Sequence, residues 1–475
     1  MSPWFRVFVP KPDAKRRLVI LPHAGGGPAY YRDWVKGVPD DYETVVAQLP
    51  GHEARWKEPP LTHMEPIADN LIRELSTLDC RPLTLFGHSL GAVIAYELAR
   101  RLTVERLIVA GARAPHLPRI RKTLYDLNDI QLLQELKQLG GTPTALLDNE
   151  EVFSLFLPTL RADLEVLETY SHSHGKTLDV PLTVVGGFVD DRTPLVDLLS
   201  WKDLNSGPTH IEANAGGHFF CGAPGTLTTG AGFLRSLTLP ARQEPEQDLH
   251  VVKLGQSPET VAGFCDCLDD SERHRADRFL RPEHRDRFIV GRGTLRQILG
   301  RHLSLAPSDV RIVVSPSGKP GLHQDHNSDI NFNLSHSDHL AAIFIAKRQK
   351  VGVDIEQVRG DVDHAGLAER YFAPAERADV IAVDESQRLA RFFAYWTGKE
   401  AYSKARGLGL NLPLDQYDIK LDDRGYPACV QDRTLPPNQA PWHVCGINIA
   451  DGFAAAIASE KRFARFRLFG DTIKS

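Results

Sequence analysis

The chain has 475 residues, 42% hydrophobic and 25% charged, with a net charge of −5 at pH 7 and a pI near 6.4; that is too long for one ordinary core and too apolar for a disordered chain, so two folded domains are expected. Residues 1–240 carry 24 basic and 28 acidic side chains and 241–475 carry 32 and 33, so neither half is a polycation and no bulk binding to nucleic acid or a membrane is expected. No run approaches 18 apolar residues, the opening "MSPWFRVFVPKPDAKRRLVI" has no apolar signal core, and the six cysteines are scattered, which together suit a reducing cytoplasm.

Through the first half, short apolar runs alternate with helical patterns. "RLVIL" (17–21), "ETVVAQL" (43–49), "LTLFG" (83–87), "RLIVAG" (106–111) and "LTVVGG" (182–187) read as strands, and "AVIAYELARRL" (92–102) and "DLLSWKDL" (197–204) as helices. This alternation predicts a mostly parallel sheet covered on both faces. "LPARQEPEQDLH", from residue 239, has two prolines, several charges and no apolar period, and reads as a linker over 239–249 between domains at 1–238 and 250–475. Beyond it the strands shorten and alternate, as in "AAIFIA" (341–346) and "VGVDIE" (351–356), with helical stretches such as "RFFAYWTGKEAYSKARG" (391–407) between them. That pattern predicts an α+β domain with antiparallel strands.

"LTLF" runs into Gly87-His88-Ser89-Leu90-Gly91 and then into a helical pattern, the strand–turn–helix setting of a nucleophile elbow. A serine needs a base, and the base an orienting acid. "PLTVVGGFVDDRTP" brings Asp190 and Asp191 to the carboxyl edge of the sheet, and "GGHFF" brings His218 after a strand-like "THIEANA". His210, inside that strand, and His23, ahead of the serine, are worse placed. One oxyanion donor is expected from the N–H of Leu90, the other from the "HAGGG" loop after the first strand, near Ala24.

In order, "LPHAGGG", "QLPGHEARWKEPP", "GHSLGA", "FLPTLRADLEVLETY" and "GGHFF" resemble the type II thioesterases that accompany non-ribosomal peptide and polyketide synthases. The resemblance implies an α/β hydrolase fold with a helical lid at 128–170. It favours Asp190 over Asp191 as the acid, from its spacing to Gly187 and Trp201. His52 departs from the arginine common at that position.

In the second half, Val351, Val353 and Ile355 share one face of a strand, while Asp354 and Glu356 share the other and repel unless a cation lies between them. The bland reading is a solvent-facing strand edge. On the later helix, Glu400 and Lys404 share a face with Lys399 beside them, either as a simple ion pair or as a third carboxylate and lysines around a metal-bound pyrophosphate. Upstream, 273–301 holds nine arginines in 29 residues; a solvated helix pair, a phosphate or acidic-partner site, and a nucleic-acid patch all remain open, the last ranked lowest.

"SGKPGL" (317–322), "FNLSHS" (332–337), "GVDIE" (352–356), "YFAPAE" (371–376) and "WTGKEAYSKARGLGLNLPL" (396–414) resemble the surfactin-type 4′-phosphopantetheinyl transferases. The resemblance implies a pseudo-twofold α+β domain. It also implies Mg²⁺ on Asp354, Glu356 and Glu400, Glu400 as the base for the incoming hydroxyl, and coenzyme A held by Lys319, Ser335, His336, Lys404 and Arg287. The chain as a whole is then expected to install phosphopantetheine on apo carrier proteins and to hydrolyse acyl thioesters from the same arm. Action on free acyl-CoA, release of a finished product, or a non-catalytic docking role for the first half are the alternatives.

Overall fold

The computed structural model describes residues 2–118, 123–139, 148–173, 175–221, 230–238, 245–409, 412–436, 439–462 and 464–470. By its contacts the chain divides into two units, Met1–Glu244 and Pro245–Ser475.

Among the described residues of the first unit, seven strands run β1 (Phe5–Arg6), β2 (Arg16–Leu21), β3 (Tyr42–Ala47), β4 (Leu83–His88), β5 (Arg106–Ala110), β6 (Leu182–Gly187) and β7 (Thr209–Asn214), in the spatial order β1-β3-β2-β4-β5-β6-β7. All neighbours are parallel except β1 with β3. Their runs of Leu, Ile and Val are continuous because helices cover both faces, and Leu18, Val19, Ile20 and Leu21 are fully buried. The covering helices include α1 (Met64–Ser76) and α2 (Leu90–Arg101).

Register gathers the loops at one edge. Leu21 pairs with Gly87, His88 with Ala110, and Gly187 with Asn214. The segments that follow β2, β4, β6 and β7 carry Ala24, Ser89, Asp190 and His218, so a parallel sheet delivers all four to its carboxyl end. Over that edge lie α3 (Asp129–Leu139) and α4 (Glu150–Thr169), whose Leu132, Leu136, Phe153, Leu157, Leu160 and Leu164 form a core of their own. These are the helices expected at 128–170; residues 140–147 lie outside the described set. Further on come α5 (Leu195–Leu199), which ends in a 3₁₀ turn, and α6 (Gly230–Thr238).

The second unit opens with β8 (Gln247–Lys253), which begins inside the stretch read as a linker; residues 239–244 lie outside the described set. Local composition hid this strand because its partner, paired at Ala346↔Gln247, is far along the chain. After β8 come α7 (Pro258–Cys265), α8 (Asp270–Asp277), the 22-residue α9 (Pro282–Leu303), the hairpin β9 (Ile312–Val314) and β10 (Pro320–Leu322), then β11 (Ile330–Ser337) and β12 (Leu340–Lys347). The same succession recurs: β13 (Val351–Gln357), α10 (His364–Tyr371), α11 (Pro374–Ala382), the 22-residue α12 (Glu385–Arg406), the hairpin β14 (Tyr417–Leu421) and β15 (Pro427–Asp432), then β16 (His443–Gly446) and β17 (Phe453–Ser459). The spatial orders β8-β12-β11 and β13-β17-β16 are also alike, both antiparallel. Each copy has its own apolar core. A last strand, β18 (Arg465–Gly470), runs parallel to β8 and departs from the antiparallel expectation.

Alternate side chains of β11 stitch the two copies together. Asn333 Oδ1 accepts from the Val353 N–H at 2.9 Å, Ser335 Oγ donates to Asp354 at 2.8 Å, and Ser337 Oγ donates to Glu356 at 2.9 Å. No helix among the described residues is long and apolar enough to cross a membrane.

Candidate active sites

At the end of β4 the chain turns within one residue. Ser89 has φ 55° and ψ −115°, a strained conformation that puts its side chain over the start of α2. The flanking glycines make room for that turn: a Cβ on Gly87 would lie 2.0 Å from the Gly91 carbonyl, and one on Gly91 1.9 Å from the Leu21 carbonyl. The elbow is therefore a packing requirement written into the spacing of the motif.

Ser89 Oγ lies 3.0 Å from His218 Nε2, and His218 Nδ1 lies 2.9 Å from Asp190 Oδ2. With Nδ1 carrying the proton toward Asp190, Nε2 is left to accept from the serine. Asp190 is fully buried, and its Oδ1 accepts from the N–H groups of Arg192 and Thr193 at 2.9 and 3.2 Å. Burial pushes the carboxyl up, but the His218 charge, its hydrogen bond and the Arg192 N–H outweigh that and leave it below its ordinary value. Asp191, next along, is exposed.

Three nearby histidines are accounted for. His88 is buried and pushed down to about 3 by burial, so it is neutral; its Nε2 donates to the His218 carbonyl at 2.9 Å. His23, also buried and held well below its ordinary value, lies 3.3 Å from the Tyr31 hydroxyl. His210 stays on β7 beside Glu212. Leu90, at the first position of α2, has an N–H with no acceptor within the helix, as an oxyanion donor requires. A cavity of about 570 Å³ opens from Ser89 and His218 and is walled by Arg113, Leu124, Leu164 and Arg192 among others.

The second unit holds a smaller cavity of about 350 Å³. Asp354 and Glu356 enter it from β13, Glu400 and Lys404 from α12, and Ser335 and His336 from β11. Lys404 Nζ lies 2.5 Å from Asp354 Oδ1 and 3.0 Å from Ser335 Oγ. Asp354 Oδ2 is buried with no hydrogen-bond partner. Burial and the charge of Asp354 together push both Glu356 and Glu400 up. Asp354, Glu356 and Glu400, the first with an orphaned buried oxygen, form a hard-oxygen donor set suited to a divalent cation, although their oxygens do not all lie within 4.8 Å of one another.

Two predicted ligands lie apart from that cavity. Lys319 Nζ donates to the carbonyls of Val351 and Ala405, at 2.9 and 3.3 Å, and is lowered to about 8 by burial and by Lys350. It borders a separate cleft of about 680 Å³ with Lys350, His323 and Arg406. Arg287 pairs with Asp338 at 3.0 Å.

Lys399 corrects the expectation for its neighbourhood. It is fully buried, 2.8 Å from Glu376 Oε2, and donates to the carbonyls of Leu414 and Tyr417 at 2.7 and 2.8 Å. One step of 100° around α12 turns it from the cavity to the core. The arginine tract is likewise part interior: Arg296 is buried against Glu272, Asp269 and the Val310 carbonyl.

Sequence reasoning missed two clusters. Asp248, His250 and His302 bring ligand atoms within 4.8 Å of one another, the one such trio among the described residues, but Asp248 is already held by Arg467 at 2.6 and 2.8 Å. The other joins His52 to Asp163, at 2.9 Å.

Comparison with known proteins assigns both units. The model for the thioesterase domain matches residues 16–232, that for the 4′-phosphopantetheinyl transferase N-terminal region matches 256–348, and that for the 4′-phosphopantetheinyl transferase superfamily matches 350–458. Gramicidin S biosynthesis protein GrsT of Aneurinibacillus migulanus is 34% identical over 226 residues, 46% of this chain and 88% of that protein. Thioesterase PikA5 of Streptomyces venezuelae is 36% identical over 224 residues, 46% of this chain and 79% of that protein. On the other side, 4′-phosphopantetheinyl transferase HetI of Nostoc sp. is 38% identical over 214 residues, 45% of this chain and 87% of that protein.

Proposed function

The chain belongs to the type II thioesterases through its first unit and to the 4′-phosphopantetheinyl transferases through its second, and on that premise we propose that the first unit clears acyl groups from the arm that the second unit installs. The observation that carries the proposal is a complete nucleophile–base–acid chain, Ser89–His218–Asp190, in the same polypeptide as a carboxylate cavity with an unsatisfied oxygen.

In the second unit, a carrier serine hydroxyl attacks the β-phosphate of coenzyme A and 3′,5′-ADP leaves. Glu400 takes the hydroxyl proton, and Lys404 offers an ammonium to the phosphates. Asp354, Glu356 and Glu400 would hold Mg²⁺, which when bound screens charge on the pyrophosphate. Ser335 and Ser337 orient Asp354 and Glu356 by hydrogen bonds. His336, exposed on β11, faces the entering cofactor. Lys319, on the neighbouring cleft, and Arg287 serve the far end of coenzyme A.

In the first unit, Ser89 attacks the acyl thioester as His218 takes its proton. The N–H groups of Leu90 and Ala24 receive the oxyanion, and the thiol leaves with the proton from His218. Water, deprotonated by His218, then releases the acid. The partners are carrier proteins of peptide or polyketide synthases, served by a cytoplasmic enzyme whose two domains divide at about residue 245 rather than at 250, because β8 already belongs to the second.

Apo carrier protein incubated with coenzyme A, Mg²⁺ and the full chain should gain one phosphopantetheine mass, and the Asp354→Ala chain should add none. A gain that persists in Asp354→Ala would contradict the assignment of the carboxylate cavity.

A further inference from the structure

A carboxylate on the lid helix hydrogen-bonds the oxyanion loop. Asp163, on α4, is 2% exposed, and its Oδ2 accepts from the Gly25 N–H at 2.7 Å and faces His52 Nε2 at 2.9 Å. Gly25 follows Ala24 directly. It has φ +71°, and a Cβ there would lie 2.4 Å from the Phe156 ring, also on α4. Ala24 itself packs against the apolar core of the lid. The loop that offers the second oxyanion donor is thus packed against α4 and hydrogen-bonded to it.

His52 holds that carboxylate in turn. Its two ring nitrogens both face acceptors, Nδ1 the Pro50 carbonyl at 3.1 Å and Nε2 Asp163 at 2.9 Å. A neutral imidazole can donate from only one nitrogen, so the geometry calls for the imidazolium. Charge-assisted bonds of this kind are stronger than neutral ones. The Thr159 hydroxyl, one turn earlier on α4, donates to the Gly51 carbonyl at 3.0 Å and fixes the same junction.

We propose that Asp163 is a positioning residue for thioester hydrolysis: by clamping the Gly25 N–H it sets the Ala24 donor, so that the oxyanion hole is complete only while the lid helix is seated. The inference rests on the thioesterase reading of the first unit. It gives the lid a role in the chemical step besides covering the acyl cavity, because lifting α4 would take the clamp away from the loop.

The test uses the full chain and an acetylated carrier protein, with Asp163→Asn and Asp163→Leu compared. The asparagine keeps an acceptor oxygen in place; the leucine removes it at similar volume. Loss of one oxyanion donor lowers kcat about 10²–10³-fold, and a displacement near 1 Å about 10²-fold. Asp163→Leu should therefore lose about 100-fold in kcat with KM changed less than about threefold, and Asp163→Asn should stay within about fivefold of the natural chain. The acid limb of the pH–rate profile should be the same in all three. Should the leucine chain not fold, Asp163→Glu moves the oxygen by one methylene and should lose at least about tenfold in kcat. A leucine or glutamate chain within about threefold of natural kcat, a loss carried by KM alone, or asparagine and leucine chains impaired alike would overturn the proposal. A natural chain that hydrolyses the thioester no faster than Ser89→Ala would instead overturn the activity beneath it.

Discussion

Replacing Lys399 by methionine should destabilise the second unit without weakening its hold on coenzyme A. The ammonium is fully buried between Glu376 and two carbonyls, and it lies 4.6 Å from the centre of the Tyr417 ring. Breaking a buried pair from one side costs about 3–5 kcal/mol, because the other charge is stranded. The carbonyls of Leu414 and Tyr417 also lose a donor, which adds about 1–3 kcal/mol. Glu376 retains its bonds from the N–H groups of Ile419 and Ala373, at 2.7 and 2.9 Å, which puts the first figure toward its lower end. The sum expected is about 4–6 kcal/mol. Adding Glu376→Gln removes the stranded charge and should return about 2–3 kcal/mol of it. Hydrogen exchange of peptides from α12 reads the opening free energy of this unit separately from the first. A double variant no more stable than Lys399→Met, or a Lys399→Met chain of natural stability whose KM for coenzyme A rises tenfold, would refute the structural role.

Two further outcomes follow from the first unit. Asp190→Asn keeps the shape but lets His218 take the wrong tautomer, so kcat for acyl-carrier hydrolysis should fall about 10⁴-fold with the fold intact by circular dichroism. The His52–Asp163 contact gives a pH-dependent stability: burial lowers His52, but the charge of Asp163 and its hydrogen bond outweigh this and the net shift is upward. Besides Asp163, Glu53 and His23 are the titratable groups that act on it. A folded pKa above the unfolded value means that the contribution is full below about 6.5 and fades as pH rises through the folded value. The thermal midpoint of the first unit, natural chain minus His52→Gln, should thus be greatest near pH 5.5 and shrink toward pH 9; a difference that grows with pH would contradict the assignment.

What the sequence disclosed depended on how local the cause was. The elbow at Ser89 was legible because Gly87 and Gly91 are demanded by backbone contacts within a few residues and one neighbouring strand. The strands of the parallel sheet were legible because burial on both faces leaves continuous apolar runs. Choosing Asp190 over Asp191 needed a family spacing, since burial of one and exposure of the other arise only in the folded loop. The inward turn of Lys399 was hidden because its partner, Glu376, sits on another helix, and the duplication of the second unit was hidden because it survives in element order and strand order rather than in residues. The start of β8 and the clamp at Asp163 depend on partners about 100 residues away or more, beyond the reach of any window of pattern.

One chain is proposed both to build and to clear the same arm. Carrier protein loaded with acetyl-CoA by the full chain, followed by intact-protein mass spectrometry over time, reads both acts at once. The natural chain should convert acetyl-phosphopantetheinyl carrier to the free-thiol form, while the Ser89→Ala chain should load the acetyl arm and leave it in place. Equal acetyl lifetimes in the two would contradict the account.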